Sequence, residues 1–210
     1  MGIIWQGILG GVSGRVGNVI GSSWKGIPVL KSRPLSVANP RTTQQVHYRD
    51  RLTKLVAIAS PINSSIIIPL WNRFASRMSG YNAFIQANSE AFNSSMAFVP
   101  AAFSISRGRM ASTAIINADI QTVNTECMVS YSPSITDSFQ TADDVPFIVI
   151  TSSTGVLKGF KAGDIVRSDE GMLVTAVPGS SFAVGDLCFL AFRRPDGSVV
   201  SNTSFKALIA

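Results

Sequence analysis

Residues 2–33 have the sequence GIIWQGILGGVSGRVGNVIGSSWKGIPVLKSR, which holds eight of the 17 glycines and no acidic side chain. From Gly7 to Gly21 the glycines recur at steps of three and four, and apolar residues recur in the same way between them. This spacing allows a helix with one bare face and one apolar face. Each glycine inside a water-exposed helix, however, costs about 1 kcal/mol relative to alanine.

An extended hairpin is the alternative conformation, and we favour it for residues 14–33. In this interpretation Val16–Ile20 forms one strand, Gly21–Ser23 forms the turn and Trp24–Lys31 forms the returning strand. Glycine in a strand marks a bulge or a place where a second backbone comes close. The pattern leaves residues 2–13 open between helix and strand.

The apolar side chains of the opening stretch, among them Ile4, Trp5 and Leu9, are too many to leave in water. Its glycines make ordering costly in entropy, so a docking surface must be supplied. A neighbouring subunit is the simplest cover, and we predict a homo-oligomer or a larger assembly. The predicted subunit contacts are Gly7, Gly10, Gly11, Gly14, Gly17, Gly21 and Trp24.

Charge is distributed unevenly along the chain. Residues 1–80 hold ten cations and one acid, whereas residues 81–210 hold eight cations and eleven acids. Such asymmetry predicts that the first part binds an anionic partner, such as nucleic acid, or an acidic neighbouring protein. Trp24 fits either stacking on bases or anchoring of the hairpin on the helices. The predicted contacts to nucleic acid or another anionic partner are Arg15, Lys25, Lys31, Arg33, Arg41, Arg49 and Arg51.

A helical segment is predicted over residues 39–98, after a basic arm that covers residues 1–38. Asn39, Pro40 and Thr42 are helix-start signals, and the first helix is expected over 42–59. A second apolar stripe follows from Ile62 to Phe74, with an interruption near Ile66 caused by Pro69. A third, shorter helix is expected from Tyr81 to Phe92.

Beyond Pro100 the apolar period changes to two, which predicts an independent all-β domain over residues 103–210. The fold class is therefore α+β, with an antiparallel sandwich of the immunoglobulin or fibronectin-III type at the C-terminal end. The acidic pairs Asp143–Asp144 and Asp169–Glu170 are expected in solvated turns. The expected strands cover residues 103–107, 112–117, 123–131, 145–152, 163–168, 172–177, 186–193 and 203–209.

The two cysteines, Cys127 and Cys188, both fall in predicted strands. Their spacing fits a bridge between the second and sixth strands of such a sandwich, although the tryptophan expected on the third strand is missing and Phe147 is the nearest aromatic residue. We see no secretion signal, so two buried free thiols are favoured over a disulfide.

Catalysis is not expected from this sequence. His47 is the one histidine, and no nucleophile elbow, metal-binding cysteine pair, zinc-protease motif or phosphate-binding loop accompanies it. We therefore predict a protein that is not an enzyme, with no cofactor and no metal. No run of 18 uncharged apolar residues is present, so no membrane span is predicted.

The stretch GILGGVSGRVGNVIGSSWKGIPVLKSRP, followed by NPRTTQQ, resembles the opening of an uncharacterised protein family of Bacteroidota and their phages. The order of the GG-x-SG-[KR]-VG block, WKG, a basic strand and a helix start carries this resemblance. SVVSNTSF is similar to the family's closing strand. The family has no established activity, so the resemblance implies a domain plan and no reaction.

These observations lead us to expect a structural or assembly protein of a phage virion, with a basic N-terminal part against neighbouring subunits or the genome and the sandwich facing outward. One alternative is a nucleic-acid-binding protein of the bacterial cytoplasm that uses residues 1–80. A further alternative is an adhesive or glycan-binding module built on the sandwich loops.

Overall fold

A computed structural model describes residues 3–4, 12–24, 27–36, 38–121 and 124–209. The chain forms two compact units, Met1–Gln45 and Val46–Ala210. Three helices and three antiparallel sheets are present in the described part, so the fold class is α+β with more strand than helix.

The first unit contains an antiparallel sheet of order β1-β2-β3-β4. The tight turn of this sheet lies at Gly17–Asn18, not at the predicted Gly21–Ser23. Gly17 has φ 58° at the first loop position, where a two-residue type II′ turn needs a glycine. Gly21 instead lies within a strand, opposite Gly14 and Leu30. The strands are β1 Ile3–Ile4, β2 Val12–Val16, β3 Val19–Trp24 and β4 Ile27–Ser32.

Helix α1 spans Thr43–Ala59, close to the predicted bounds, and Thr42 Oγ1 accepts the Gln45 N–H at 3.3 Å. The interruption expected from Pro69 takes the form of a π-helical turn, Asn63–Ile67, followed directly by α2, Ile68–Trp71. Pro69 lacks an N–H and crowds the preceding turn, so a regular α-helix cannot run through it. Helix α3, Gly80–Ala87, is capped by Ser79, whose Oγ accepts the Asn82 N–H at 3.2 Å.

Two further sheets follow the helices. The four-stranded sheet has the order β11-β10-β7-β8, and the three-stranded sheet has the order β5-β6-β9. Every strand pair in both sheets is antiparallel. The strands are β5 Ile115–Ile120, β6 Glu126–Tyr131, β7 Val145–Thr151, β8 Leu157–Ala162, β9 Gly171–Thr175, β10 Leu187–Arg193 and β11 Ser204–Ala207.

Two of the predicted strands are wrong. Residues 103–107 are irregular, although Phe103 and Ile105 are buried and contribute to the core. Residues 163–168 contain no strand; they end in a short 3₁₀ turn, Arg167–Asp169, and the real strand is β8. Alternation of apolar residues in both stretches reflects burial against neighbouring elements and not sheet pairing.

The four-stranded sheet has a hydrophobic core on each face. Phe147 and Val149 of β7 pack in one core with Ile58 of α1 and Phe84 of α3. Ile148, one residue further along the same strand, packs in the other core against the three-stranded sheet. Alternation along a strand sends successive side chains to opposite faces, so both faces of this sheet are covered.

No single helix in the described ranges is long and apolar enough to cross a membrane. The helices Thr43–Ala59 and Asn63–Trp71 pass such a test of length and composition only when taken together, and they are bent by 74°.

Candidate interaction surface

The N-terminal sheet places two glycines and three large apolar residues of the opening stretch on one face, together with Ser23, Pro28 and Ser32. Gly14 pairs with Gly21 and Gly21 with Leu30, while Val16 pairs with Val19 in the neighbouring row. Residues paired across strands, or two apart along one strand, share a face. We call the surface formed by Gly14, Val16, Val19, Gly21 and Leu30 the glycine face.

The three side chains of the glycine face are apolar and open to solvent. The exposed fractions of its side chains are 66% for Leu30, 56% for Val16 and 44% for Val19. Among the residues of the first unit whose exposure is described, only Gly21 is buried. The side chains of this unit thus lack an internal core within the described part.

The opposite face of the same sheet carries positive charge. Arg15 pairs with Ile20, and Ile20 pairs with Lys31, so the two cations lie on either side of one apolar residue. Their backbone positions are two strand spacings, roughly 9–10 Å, apart. Arg15 also donates from Nε to the Gly17 carbonyl at 3.1 Å. Arg15, Ile20 and Lys31, with Ser13 and Ser22 on the same side, form the cationic face.

The remaining predicted contacts of the opening part are dispersed. Arg33 is exposed, and its N–H donates to the Asn18 carbonyl at 2.7 Å. Arg41 is exposed ahead of α1. Only the backbone of Trp24 is described, as the end of β3. Gly7, Gly10, Gly11 and Lys25 lie outside the described residues.

Helix α1 uses several of its polar side chains to hold the chain that follows α3. His47 Nε2 lies 2.7 Å from the Ser94 carbonyl, Arg51 Nη2 donates to the Ser89 carbonyl at 2.5 Å, and Lys54 Nζ donates to the Met96 carbonyl at 3.1 Å. The guanidinium of Arg51 also lies over the Tyr48 ring at 5.9 Å. Arg51 therefore contributes to the fold, whereas Arg49 on the same helix is exposed.

A buried ion pair inside the second unit was missed at the sequence level. Arg167 is completely buried, and its Nε and Nη2 donate to Asp144 Oδ2 at 3.3 and 3.2 Å. Its Nη1 donates to Thr113 Oγ1 at 2.6 Å, and its guanidinium lies 4.0 Å from the centre of the Phe192 ring. Asp144 is buried as well, so the predicted solvated turn holds only for its neighbour Asp143.

The low-polarity surroundings of this pair perturb nearby groups. Burial lowers the pKa of Arg167, while the Asp144 carboxylate acts in the opposite direction. Burial raises the pKa of Tyr131 to about 12, and the carboxylate of Asp169 adds to the effect. Thr141 donates to both Asp144 oxygens, through Oγ1 at 2.7 Å and through its N–H at 2.9 Å. Every strong polar atom of the pair thus has a partner, which is typical of a structural ion pair.

The cysteines Cys127 and Cys188 are free and buried in the core between the two sheets. Burial raises the pKa of Cys127 to about 12, with a smaller contribution from Asp119. Burial also raises the pKa of Cys188. Since the thiolate is the reactive form, both groups are inert at neutral pH.

The described residues contain no group of three or more His, Cys, Asp and Glu side chains arranged to hold a metal ion. The single histidine is engaged with a backbone carbonyl, as described above. The surfaces that distinguish this molecule are consequently the two faces of the N-terminal sheet.

The chain matches one family of known proteins over most of its length. Residues 11–207 match the model of a Family of unknown function, DUF6266. The chain belongs to this family. The DUF6266 match begins one residue before β2 and ends at the last residue of β11, so it covers most of both compact units. A search of curated proteins gives no significant match.

Proposed function

We propose that this DUF6266 protein is a non-enzymatic structural protein of a phage virion, in which the glycine face contacts a neighbouring copy of the chain. Residues 1–38 act as a glycine-rich arm, and the C-terminal part is an outward-facing sandwich. The observation that carries this proposal is the exposed, uncharged glycine face on a unit without a described internal core.

Burial of the glycine face is energetically favourable. Fully covering a Val or Leu side chain contributes about 1.5–3 kcal/mol, so covering Val16, Val19 and Leu30 together favours a docked state by several kcal/mol. Gly21 is already buried and Gly14 is half-buried, so Val16, Val19 and Leu30 supply the surface that a second copy covers. A two-fold contact between copies buries the same residues on both chains.

The distribution of charge favours a second copy as the occupant. The glycine face has no charged residue, so two such faces meet without electrostatic repulsion. The cationic face, with Arg15 and Lys31, repels a copy of itself and suits an anionic partner such as genomic nucleic acid. Pro28 in the outer strand β4 lacks an N–H, which favours docking by the face over addition of a strand to the edge.

The strand order supports an immunoglobulin or fibronectin-III type of sandwich in the C-terminal part. If β5 is counted as the first strand, the three-stranded sheet contains the first, second and fifth strands. The four-stranded sheet then contains the seventh, sixth, third and fourth strands, in that order. This is the division expected for a fibronectin-III module. The assignment to phages and to Bacteroidota rests on the resemblance of residues 7–34 and 39–45.

The decisive test is the mass of the full chain in solution, measured by light scattering over a range of concentrations. We expect the wild type to form a defined oligomer. The double variant Val16→Lys/Leu30→Lys should be monomeric, because two lysines on each copy oppose burial of the glycine face. The matched control is Ser13→Lys/Ser22→Lys, which adds the same charge to the cationic face and should keep the oligomer.

Two results would contradict the proposal. A wild type that stays monomeric at all concentrations would remove the assembly role. Tight duplex binding that weakens steeply with salt and is lost in Arg15→Ala/Lys31→Ala, without any oligomer, would favour the cytoplasmic nucleic-acid-binding alternative.

A further inference from the structure

We propose that the second unit contains a binding site for a nucleotide unit of single-stranded nucleic acid. The site is a cavity of about 330 Å³ whose lining includes the two phenylalanines Phe74 and Phe139 and the two arginines Arg107 and Arg109. We call it the Phe–Arg pocket. It lies outside every residue assigned to the proposed assembly contact, so it gives the second unit a ligand of its own.

Both aromatic rings of the pocket are exposed in spite of their apolar character. Phe74 follows α2 and is 45% exposed, while Phe139 lies between β6 and β7 and is 38% exposed. Two large rings from distant parts of the chain thus line one open cavity. Aromatic rings in such a position are typical platforms for nucleobases, because every base has a flat face that can stack.

The segment that carries the two arginines is fixed to the β10–β11 connection. The Met110 N–H donates to the Val200 carbonyl at 3.2 Å, and the Asn202 N–H donates to the Met110 carbonyl at 3.1 Å. Ser106 Oγ donates to the Ser201 carbonyl at 2.6 Å. At Gly108, a Cβ atom would lie 1.8 Å from the Val200 carbonyl oxygen, so no other residue fits there. The backbone of Arg107 and Arg109 is therefore held in place before any ligand arrives.

The guanidinium groups have unused hydrogen-bond donors. Arg109 is exposed and has no hydrogen bond or ion pair with any described residue. Arg107 uses one nitrogen, Nη2, to donate to the Ala87 carbonyl at 3.0 Å. Ser198 Oγ, in the lining of the pocket, also lacks a partner in the described part of the chain. These donors match the oxygen atoms of a phosphate group.

More cations than acids surround the pocket. Nη1 atoms of Arg73 and Arg193 lie 3.7 and 3.9 Å from the position that a Cβ atom would take on Gly197, next to Ser198. The nearby Asp137 carboxylate already accepts the Ala111 and Phe139 N–H groups at 3.1 and 3.3 Å.

The carboxylate of Asp196 accepts the Ser198 N–H at 2.7 Å. Neither acid forms an ion pair with Arg109 in the described part of the chain, so its guanidinium remains available for an anion.

The composition of the lining favours a nucleotide over an acidic sugar or an acidic peptide. The pocket is lined by phenylalanine, valine, glycine, serine and arginine, without a carboxylate or a side-chain amide. A sugar would bring many hydroxyl groups that need acceptors, and a peptide would bring N–H groups that need them too. A base can stack on a phenyl ring with its polar edge toward solvent, and its phosphate can accept from the arginines. A cavity of this size holds one such unit.

The test is fluorescence anisotropy of the full chain with labelled oligothymidylate, compared with an abasic phosphodiester chain of the same length. We expect the oligothymidylate to bind more tightly, because stacking requires bases. Phe74→Leu/Phe139→Leu keeps all charges and should weaken oligothymidylate binding about fivefold or more, with little effect on the abasic chain. Arg109→Ala should weaken both ligands, and Arg109→Lys should restore part of the loss.

The matched charge control is Lys161→Ala, which removes one exposed cation from β8 and should leave both affinities unchanged. Each variant is first shown to have wild-type unfolding behaviour. Equal binding of the oligothymidylate and the abasic chain would overturn the proposal, as would tighter binding of a polyuronate or of an acidic peptide. Binding that survives in Val16→Lys/Leu30→Lys separates this pocket from the assembly contact, so the two proposals can fail independently.

Discussion

The N-terminal sheet and the four-stranded sheet of the second unit differ in how many of their apolar side chains are buried. In the first, Val16, Val19 and Leu30 are exposed, and only Gly21 is buried among the residues whose exposure is described. In the second, five successive residues of β10, Cys188–Phe192, are buried. Strand propensity alone therefore does not decide burial. The helices and a second sheet supply the cover within the second unit, whereas the described residues of the first unit contain no such internal cover.

The largest effect is expected when the cover of the four-stranded sheet is removed. We expect a fragment of residues 46–210 to fold, but residues 103–210 alone to lose fixed structure, contrary to the independent all-β domain inferred from periodicity. Without the helices, Phe147, Val149 and Phe189 would face water. Far-ultraviolet circular dichroism and a urea titration of both fragments check this. A cooperative unfolding transition in the shorter fragment would contradict it.

A large effect is also expected at the buried ion pair. Arg167→Met leaves the Asp144 carboxylate buried and unpaired, which should lower the free energy of unfolding by about 3–5 kcal/mol. The double variant Arg167→Met/Asp144→Leu should lose less, because no isolated charge remains. The control is Lys161→Met, which breaks an exposed pair with Asp164 at 2.7 Å and should cost under about 1 kcal/mol. Similar losses for both single variants would show that the buried pair has no special role.

A smaller effect is expected at high pH. The pKa of Cys127 and that of Tyr131 are both raised to about 12 in the folded chain, so the folded state holds protons that the unfolded state releases. The contribution of these two groups to stability should be constant below about pH 8.5 and fall as pH rises toward 12. Urea unfolding at several pH values measures this slope. Cys127→Ala should make the slope shallower, and a slope unchanged in that variant would exclude Cys127 as a cause.

The smallest effect on stability is expected at the glycine face. Val16→Lys/Leu30→Lys replaces side chains that are already exposed, so the unfolding free energy of the second unit should change by under about 0.5 kcal/mol. The same variant is expected to abolish self-association, as proposed above. A strong loss of stability in a monomeric background would show that these side chains are covered within the chain after all.

Elements whose ends are marked by a capping residue, a proline or turn residues could be predicted from the sequence. The first helix was expected over 42–59 and spans Thr43–Ala59, because Thr42 supplies a cap and Pro61 follows the end. Strand β10 was expected over 186–193 and spans Leu187–Arg193, because a long apolar run between turn residues is distinctive. In the N-terminal part the extended conformation was predicted but the turn was misplaced, since glycine at 17 and at 21 look alike in sequence.

Other features depend on contacts that the sequence does not display. Strand β8 contains Gly159 and two lysines, so its alternation is weak. A Cβ atom at Gly159 would lie 2.8 Å from the Phe182 ring, and that close approach requires glycine where a strand pattern would place a side chain. The ion pair joins Asp144 to Arg167, which are 23 residues apart in the sequence, and neither residue lies in an apolar pattern that predicts burial. The Phe–Arg pocket likewise combines residues from four distant segments.

Both faces of the four-stranded sheet are covered in the folded protein, so its apolar strands are exposed in the newly made chain until the covering elements dock. The segments VPFIVIT of β7 and LCFLAF of β10 carry no charge over six or seven residues, and they have the composition of segments that form intermolecular cross-β stacks. Pro146 interrupts only the first of them. Until α1–α3 and the three-stranded sheet dock, β10 is the segment through which nascent copies would precipitate. Substitutions at the helix–sheet contact should therefore lower the yield of soluble protein by more than their effect on the free energy of unfolding predicts.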